Sequence, residues 1–289
     1  MTKRKAFTIF VFTLFVLLIG RNLTFLPKFT LFSNPKSETL NLKNQIKELI
    51  AKEKGSYDVY FSELDNEEMS FGINEHEMHT AASINKLPIV SVLYYLAGKG
   101  ELDLNERSTI QEDDIQDYGT GEIRYEKPGG VYSLKTLAKL SLQKSDNTAA
   151  HVLVKKIGME KIQKTIEALG LTQTDMTNNK TSLFDMYILF RKIYKGEITS
   201  SSLTKELLGF LKDTDIEDRL PKLLPKNAIV YHKTGDSVGS IHDVGIVKQD
   251  DTAFFVGAMT ADVGDQEEKT KNTIAKIAKI IFDFEVNRK

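Results

Sequence analysis

Three polar clusters in this chain combine residue types suited to acyl-transfer chemistry: Ser83 with Lys86, Ser145-Asp146-Asn147, and Lys233-Thr234-Gly235. A serine hydroxyl is a poor nucleophile until a neighbouring base takes its proton. Residues three apart on a helix share a face, so Ser83 and Lys86 would present hydroxyl and amine to one spot. The spacing alone carries little weight, because it recurs at Ser33/Lys36, Ser141/Lys144 and Ser202/Lys205. Context singles out Ser83, which follows Thr80-Ala81-Ala82 and leads into Leu87-Pro88-Ile89-Val90-Ser91-Val92-Leu93. The hydroxyl is expected at the start of a buried helix, where first-turn N–H groups are unpaired and can donate to an oxyanion. A lysine at that buried end loses solvation, which lowers its pKa and makes it a usable base.

The elements that must hold these residues follow from hydrophobic periodicity. Leu42, Ile46, Leu49 and Ile50 recur at helical spacing, and Tyr57, Val59 and Phe61 alternate as in a strand. Asp65-Asn66 turns into a second strand near Met69 to Ile73. A helical middle is expected over 83–98, 134–143, 148–157, 159–169, 182–194 and 203–211. Strands return at 228–232, 241–248 and 252–259, and a final helix over 267–284 carries Ile274, Ile277, Ile281 and Phe284 on one stripe. Strands, then helices, then strands predict an α+β fold. One antiparallel sheet is built from both chain ends and flanked by the terminal helices, with an all-α lobe at about 84–225 and a ligand cleft between the lobes.

Composition narrows the function classes. The net charge of −1 gives no global pull toward nucleic acid. The absence of cysteine removes disulfides, thiolate metal sites and thiol nucleophiles. Lys3, Arg4 and Lys5 precede an apolar or weakly polar run from Ala6 to Gly20, which reads as an export signal. No small-x-small cleavage site follows, so the expectation is an uncleaved signal-anchor over residues 1–26, or a signal peptide if it is cleaved. A tether then spans 27–38 and one catalytic domain spans 39–287. The expected protein is extracytoplasmic, membrane-anchored and monomeric.

Taken singly, Ser145-Asp146-Asn147 reads as a helix cap and Lys233-Thr234-Gly235 as a turn after a strand. Together, in this order, Ser-x-x-Lys, Ser-Asp-Asn and Lys-Thr-Gly resemble the signature of class A β-lactamases and penicillin-binding proteins. Ala82-Ser83-Ile84-Asn85-Lys86-Leu87, Ser145-Asp146-Asn147-Thr148-Ala149 and Asp243-Val244-Gly245-Ile246-Val247 carry the likeness further. It extends from about Gln45 to Phe284. The resemblance implies a β-lactamase-like fold and a serine acyl-enzyme, with Ser83 as nucleophile, Lys86 as its base and Ser145 as proton donor to the leaving nitrogen. It also implies that Asn147, Lys233, Thr234 and Gly235 bind substrate and that the N–H of Asp236 is the second oxyanion donor. Asp146 is expected to cap a helix. The mechanism requires no metal and no cofactor, and the expected partner is a β-lactam or a D-Ala-type peptide.

Two departures stand out. The family carries a deacylating glutamate on a long loop, but the matching stretch from Leu171 to Lys180 holds no glutamate and one carboxylate, Asp175. This puts hydrolysis of the acyl-enzyme in question and leaves acylation untouched. Asp236, where the family has a small neutral residue, would repel a substrate carboxylate unless its side chain turns away. The expectation is a β-lactamase-like hydrolase. The alternatives are a cell-wall peptidase or penicillin-binding protein with slow deacylation, and a β-lactam sensor without turnover. Gly119-Thr120-Gly121 is expected to be a turn, His76 to His79 a solvated loop, and the His232 side chain to point away from the cleft.

Overall fold

The computed structural model describes residues 35–288. The expected targeting segment and residues 27–34 of the expected tether lie outside the described residues. Contacts divide the chain into Met1–Glu38 and Thr39–Lys289. Helix α1 (Pro35–Ile50) starts earlier than the apolar spacing from Leu42 predicts, within the stretch read as a tether. It is followed by β1 (Ser56–Glu63), β2 (Ser70–Ile73) and the short β3 (His79–Thr80). The helical lobe begins with α2 (Lys86–Gly98). Strands β4 (Arg107–Thr109) and β5 (Val131–Ser133) then precede α3 (Leu134–Gln143), α4 (Asn147–Ile157) and α5 (Met159–Ala168). After β6 (Lys180–Thr181) come α6 (Leu183–Tyr194) and α7 (Ser201–Gly209). The chain closes with β7 (Ile229–Ser237), β8 (Ser240–Gln249), β9 (Thr252–Ala261) and α8 (Glu267–Arg288).

The main sheet has five antiparallel strands in the order β2-β1-β9-β8-β7, so the two chain ends meet at β1–β9, with Val59 opposite Ala258. Period-2 alternation sorts its side chains onto two cores. Val59, Phe61, Phe254, Val256 and Ala258 face Leu42, Ile46, Ile274, Ile277 and Ile281 of the terminal helices. Tyr60, Val244, Ile246 and Phe255 face the helical lobe. There the Tyr60 and Tyr187 rings meet edge-on at 5.1 Å between centroids. With both faces covered, the strands are buried along nearly their whole length. Polar residues between the apolar positions of β1 are therefore buried too, and Asp58 is held by Asn74 Nδ2 at 3.2 Å and by His79.

Helix α2 is the axis of the lobe. Leu87, Val90, Leu93 and Tyr94 are buried, and it packs against α3, α4, α5 and α7. Burying each such side chain is worth roughly 1.5–3 kcal/mol, so this helix is held by packing on all sides. Side-chain caps set where its neighbours begin: Ser133 accepts from Thr136 N for α3, Asp146 from Ala149 N for α4, and Ser182 from Asp185 N for α6. β7 runs through Lys233-Thr234-Gly235 to Ser237. The triplet therefore lies inside a strand rather than in the turn that its glycine suggests, because pairing with β8 continues to the Ser237–Ser240 hairpin.

Candidate active site

Ser83 sits in a 3-10 turn, Ala82–Asn85, and Lys86 opens α2 directly after it. The nucleophile candidate therefore lies just ahead of the helix rather than on it. Lys86 Nζ nonetheless reaches Ser83 Oγ at 3.1 Å. The turn is pressed against the sheet's edge strand β7. A Cβ on Gly235 would stand 2.7 Å from the Ala81 carbonyl oxygen and 3.0 Å from Ile84 Cγ1, so only glycine lets strand and turn meet this closely.

Ser145 enters from the opposite side, at the mouth of α4. Lys86 Nζ bonds its Oγ at 3.1 Å and also its carbonyl oxygen. Lys233 Nζ reaches the same Oγ at 3.1 Å and the Thr234 carbonyl at 2.9 Å. The result is a continuous polar chain, Ser83 Oγ–Lys86 Nζ–Ser145 Oγ–Lys233 Nζ. Asn147 Oδ1 accepts from Lys86 Nζ at 2.6 Å, while its Nδ2 donates to Tyr118 O at 2.9 Å. Asp146 takes no part in this chain. One oxygen caps α4 at Ala149 N, and the other accepts from the N–H groups of Glu122 and Ile123 at 2.7 and 2.9 Å.

The electrostatics separate the two lysines. Burial pushes Lys86 down to about 6, Lys233 adds repulsion, and Asp146 opposes the shift only in part. A displacement of this size means that protonation is weakened, relative to an amine in water, by on the order of 6 kcal/mol. Lys233 is also lowered by burial, to about 8, with Asp243 restraining the fall. Near neutral pH the site thus holds one free amine beside Ser83 and one ammonium on β7. Strain marks the same spot: Ala82, Ser145 and Asn179 adopt left-handed φ values of 48°, 54° and 52°, and all three line the cleft. Such conformations cost about 1–3 kcal/mol each and persist where the surrounding structure over-determines them.

The cleft has a volume of about 550 Å³, within the range of roughly 300–1,000 Å³ for small-molecule sites. All eight residues singled out by sequence converge near it: Ser83, Lys86, Ser145, Asn147, Thr234, Gly235 and Asp236 line it, and Lys233 lies behind Ser145. The Asp236 carboxylate is turned into a bidentate pair with the buried Arg219 guanidinium, at 2.6 and 2.7 Å. Arg219 also donates to the His242 carbonyl at 2.8 Å. His232 faces away from the cleft as alternation predicts, and bonds Asp243 at 2.8 Å and Glu217 at 3.2 Å. Burial opposes its charge, but Asp243 and Glu217 outweigh burial and raise it to about 9.

Several lining residues carried no functional signal in the sequence. The turn at Gly119-Thr120-Gly121 packs on the Ser-Asp-Asn segment, with Thr120 Oγ1 donating to Ser145 O at 2.7 Å. Asn179 docks the Leu171–Lys180 loop beside the nucleophile turn. Its carbonyl accepts from Ala81 N at 2.9 Å and its Oδ1 accepts from Asn85 Nδ2 at 2.6 Å. Asp175 is not among the lining residues; its carboxylate turns back onto Asn178 N and Nδ2 at 2.9 and 2.7 Å. The loop thus presents a neutral amide, not a carboxylate, to the cleft, docked on the turn that carries Ser83.

Residues 41–284 match the β-lactamase enzyme family. The chain belongs to the β-lactamase enzyme family. It is 24% identical to β-lactamase VEB-1 of Pseudomonas aeruginosa, over 89% of this chain and 94% of that protein. Among solved structures, PBP-A aligns with TM-score 0.78 and 28% identity, covering 84% of this chain and 95% of its own. A glutamate-for-leucine variant of PBP-A, solved as its acyl-enzyme complex with penicillin G, aligns with TM-score 0.78 and 27% identity over 84% of this chain and 96% of its own. Like its family, this chain is a serine hydrolase of the β-lactamase type.

Proposed function

We propose that this enzyme opens β-lactam amides through an acyl-Ser83 intermediate and hydrolyses that intermediate slowly. The observation that carries the reading is Lys86 Nζ, 3.1 Å from both Ser83 Oγ and Ser145 Oγ. The neutral amine takes the Ser83 proton as Oγ attacks the strained carbonyl carbon. The N–H groups of Ser83 and Asp236 receive the developing oxyanion. Ser145, bonded to both lysines, passes a proton to the departing nitrogen, and Lys86 replenishes it. Asn147 keeps one Nδ2 hydrogen for a substrate amide. Thr234 and the Lys233 ammonium receive a substrate carboxylate, and the pairing of Asp236 with Arg219 moderates the repulsion that an unpaired carboxylate would bring. The neutral Asn179 in the docked loop supports the slow second step.

The same reading puts the enzyme outside the cytoplasm and anchored in the membrane, on the strength of Lys3, Arg4 and Lys5 before the run to Gly20. Fractionation of cells carrying the full chain tests the anchor, which predicts recovery with membranes. The chemistry is tested by mixing the domain from Ser37 onward with a fluorescent penicillin. The expected result is covalent labelling that Ser83→Ala abolishes, a loss of about 10⁴-fold or more. Equal labelling of the two proteins would sink the assignment of Ser83.

A further inference from the structure

The cleft does not end at Ser83. It continues past Asn147 along α4 to the start of α5, where Ile89, Ala150, His151, Val154 and Met159 form its wall. Asn147 and His151 are four residues apart on α4, so they share a helix face. Asn147 is bonded to Lys86, and His151 therefore stands one turn beyond it, facing the same cavity. The ring is half-buried. Among the described residues it has no hydrogen-bond partner, which leaves both nitrogens open to water.

We infer that His151 is the general base for the water that hydrolyses the acyl-Ser83 ester. This rests on the acyl-enzyme reading above and extends it to the second half of the reaction. The argument is by chemistry and position among the groups that line the cleft. Among the described residues its one carboxylate, Asp236 on β7, is clamped by Arg219. Lys86 is bonded to Ser83, Asn147 and both the hydroxyl and carbonyl of Ser145. Asn85 and Asn179 are amides and accept no proton near neutral pH. An imidazole does. The charged groups around it are Asp114, in the 3-10 turn Glu112–Asp114, Lys155 on α4, bonded to Asp114 at 2.7 Å, and Lys86 on α2, which lines the same cleft.

In this step a water gives one proton to the ring as its oxygen bonds to the ester carbon. Collapse of the tetrahedral intermediate breaks the bond from that carbon to Ser83 Oγ. The proton held by the imidazolium returns through solvent to Oγ, so one water is consumed and free enzyme is restored.

The test follows decay of the fluorescent acyl-enzyme in the wild type, His151→Gln and His151→Ala, with circular dichroism melts to check folding. The expected result is unchanged acylation and decay slowed roughly hundredfold in both variants. Added imidazole should restore decay in His151→Ala, and the pH dependence of wild-type decay should vanish in His151→Gln. A variant that merely loosened the fold would not be rescued by imidazole. Decay unaltered in both variants, or a wild-type adduct that never decays, overturns the inference while leaving acylation by Ser83 intact. Failure of the wild type to label at all overturns the acyl-enzyme reading and this one with it.

Discussion

The two sides of the cleft differ in how they are built. On the acylating side, the turn of Ser83, the mouth of α4 and strand β7 are stitched together by two buried lysines that share Ser145 Oγ. A second tier of buried charge lies beneath and beside β7: Arg219 with Asp236, and His232 with Asp243 and Glu217. On the other side, the short loop from Leu171 to Lys180 offers Asn179, and the cavity wall runs on through apolar residues to His151. Preorganised charge lowers barriers because no reorganisation is needed when the reaction occurs. The first step has that advantage here, and the second relies on whatever base the open wall supplies.

Removing the base of the acylating side tests the contrast most severely. Lys86→Met should slow labelling by about 10²–10⁴-fold while leaving the decay of any adduct that forms much less affected; stopped-flow labelling and gel decay separate the two steps. If both steps fell together, the two sides would not be independent.

The framework under β7 is the next target. His232→Leu strips Asp243 of its buried partner, and breaking one half of such a pair costs about 3–5 kcal/mol. Asp243 keeps its bond from Leu220 N at 3.0 Å, so the lower end is expected. A thermal melt reads it, and a loss under 1 kcal/mol would mean that the ion network is not what holds this side.

The pH profile of acylation sharpens the comparison without mutation. Lys86 must be neutral, so the rate rises with pH through about 6; Lys233 must stay charged to hold an anion, so it falls as pH passes about 8. Each limb should approach tenfold per pH unit well outside this window. A flat profile between pH 5 and 9 would contradict the assigned charges.

The smallest effect is expected from Asp236→Asn. It removes one negative charge from the cleft wall while Arg219 keeps its pairing with Asp218 at 3.0 Å, so labelling by an anionic penicillin should rise several-fold at low salt, on the order of 1 kcal/mol. A neutral penicillin ester should be unaffected. Equal changes for both would indicate a structural disturbance instead of a charge effect.

Much of this site is legible in the sequence. A serine three residues ahead of a lysine at a helix start, a strong N-cap before α4 and a Lys-Thr-Gly triplet following a strand-like run are local patterns. Local patterns survive because caps, turns and alternation involve neighbours in the chain. The order of strands and helices likewise indicates a sheet made from both ends, since the apolar stripes at Leu42–Ile50 and Ile274–Ile281 have nowhere else to be buried.

Other features depend on contacts between residues far apart in sequence, and only the tertiary structure decided them. Asp236 looks repulsive in the sequence and becomes a paired group because Arg219 reaches it across the fold. Asp175 looks like the candidate carboxylate of its loop and is turned onto Asn178, while Asn179 docks on the turn that carries Ser83. His151 is one polar residue on an amphipathic helix until α2 and α5 close a cavity around it. Spacing along the chain determined which residues could share a face; packing and desolvation, which depend on the whole fold, decided which of them meet, which are neutral and which are paired.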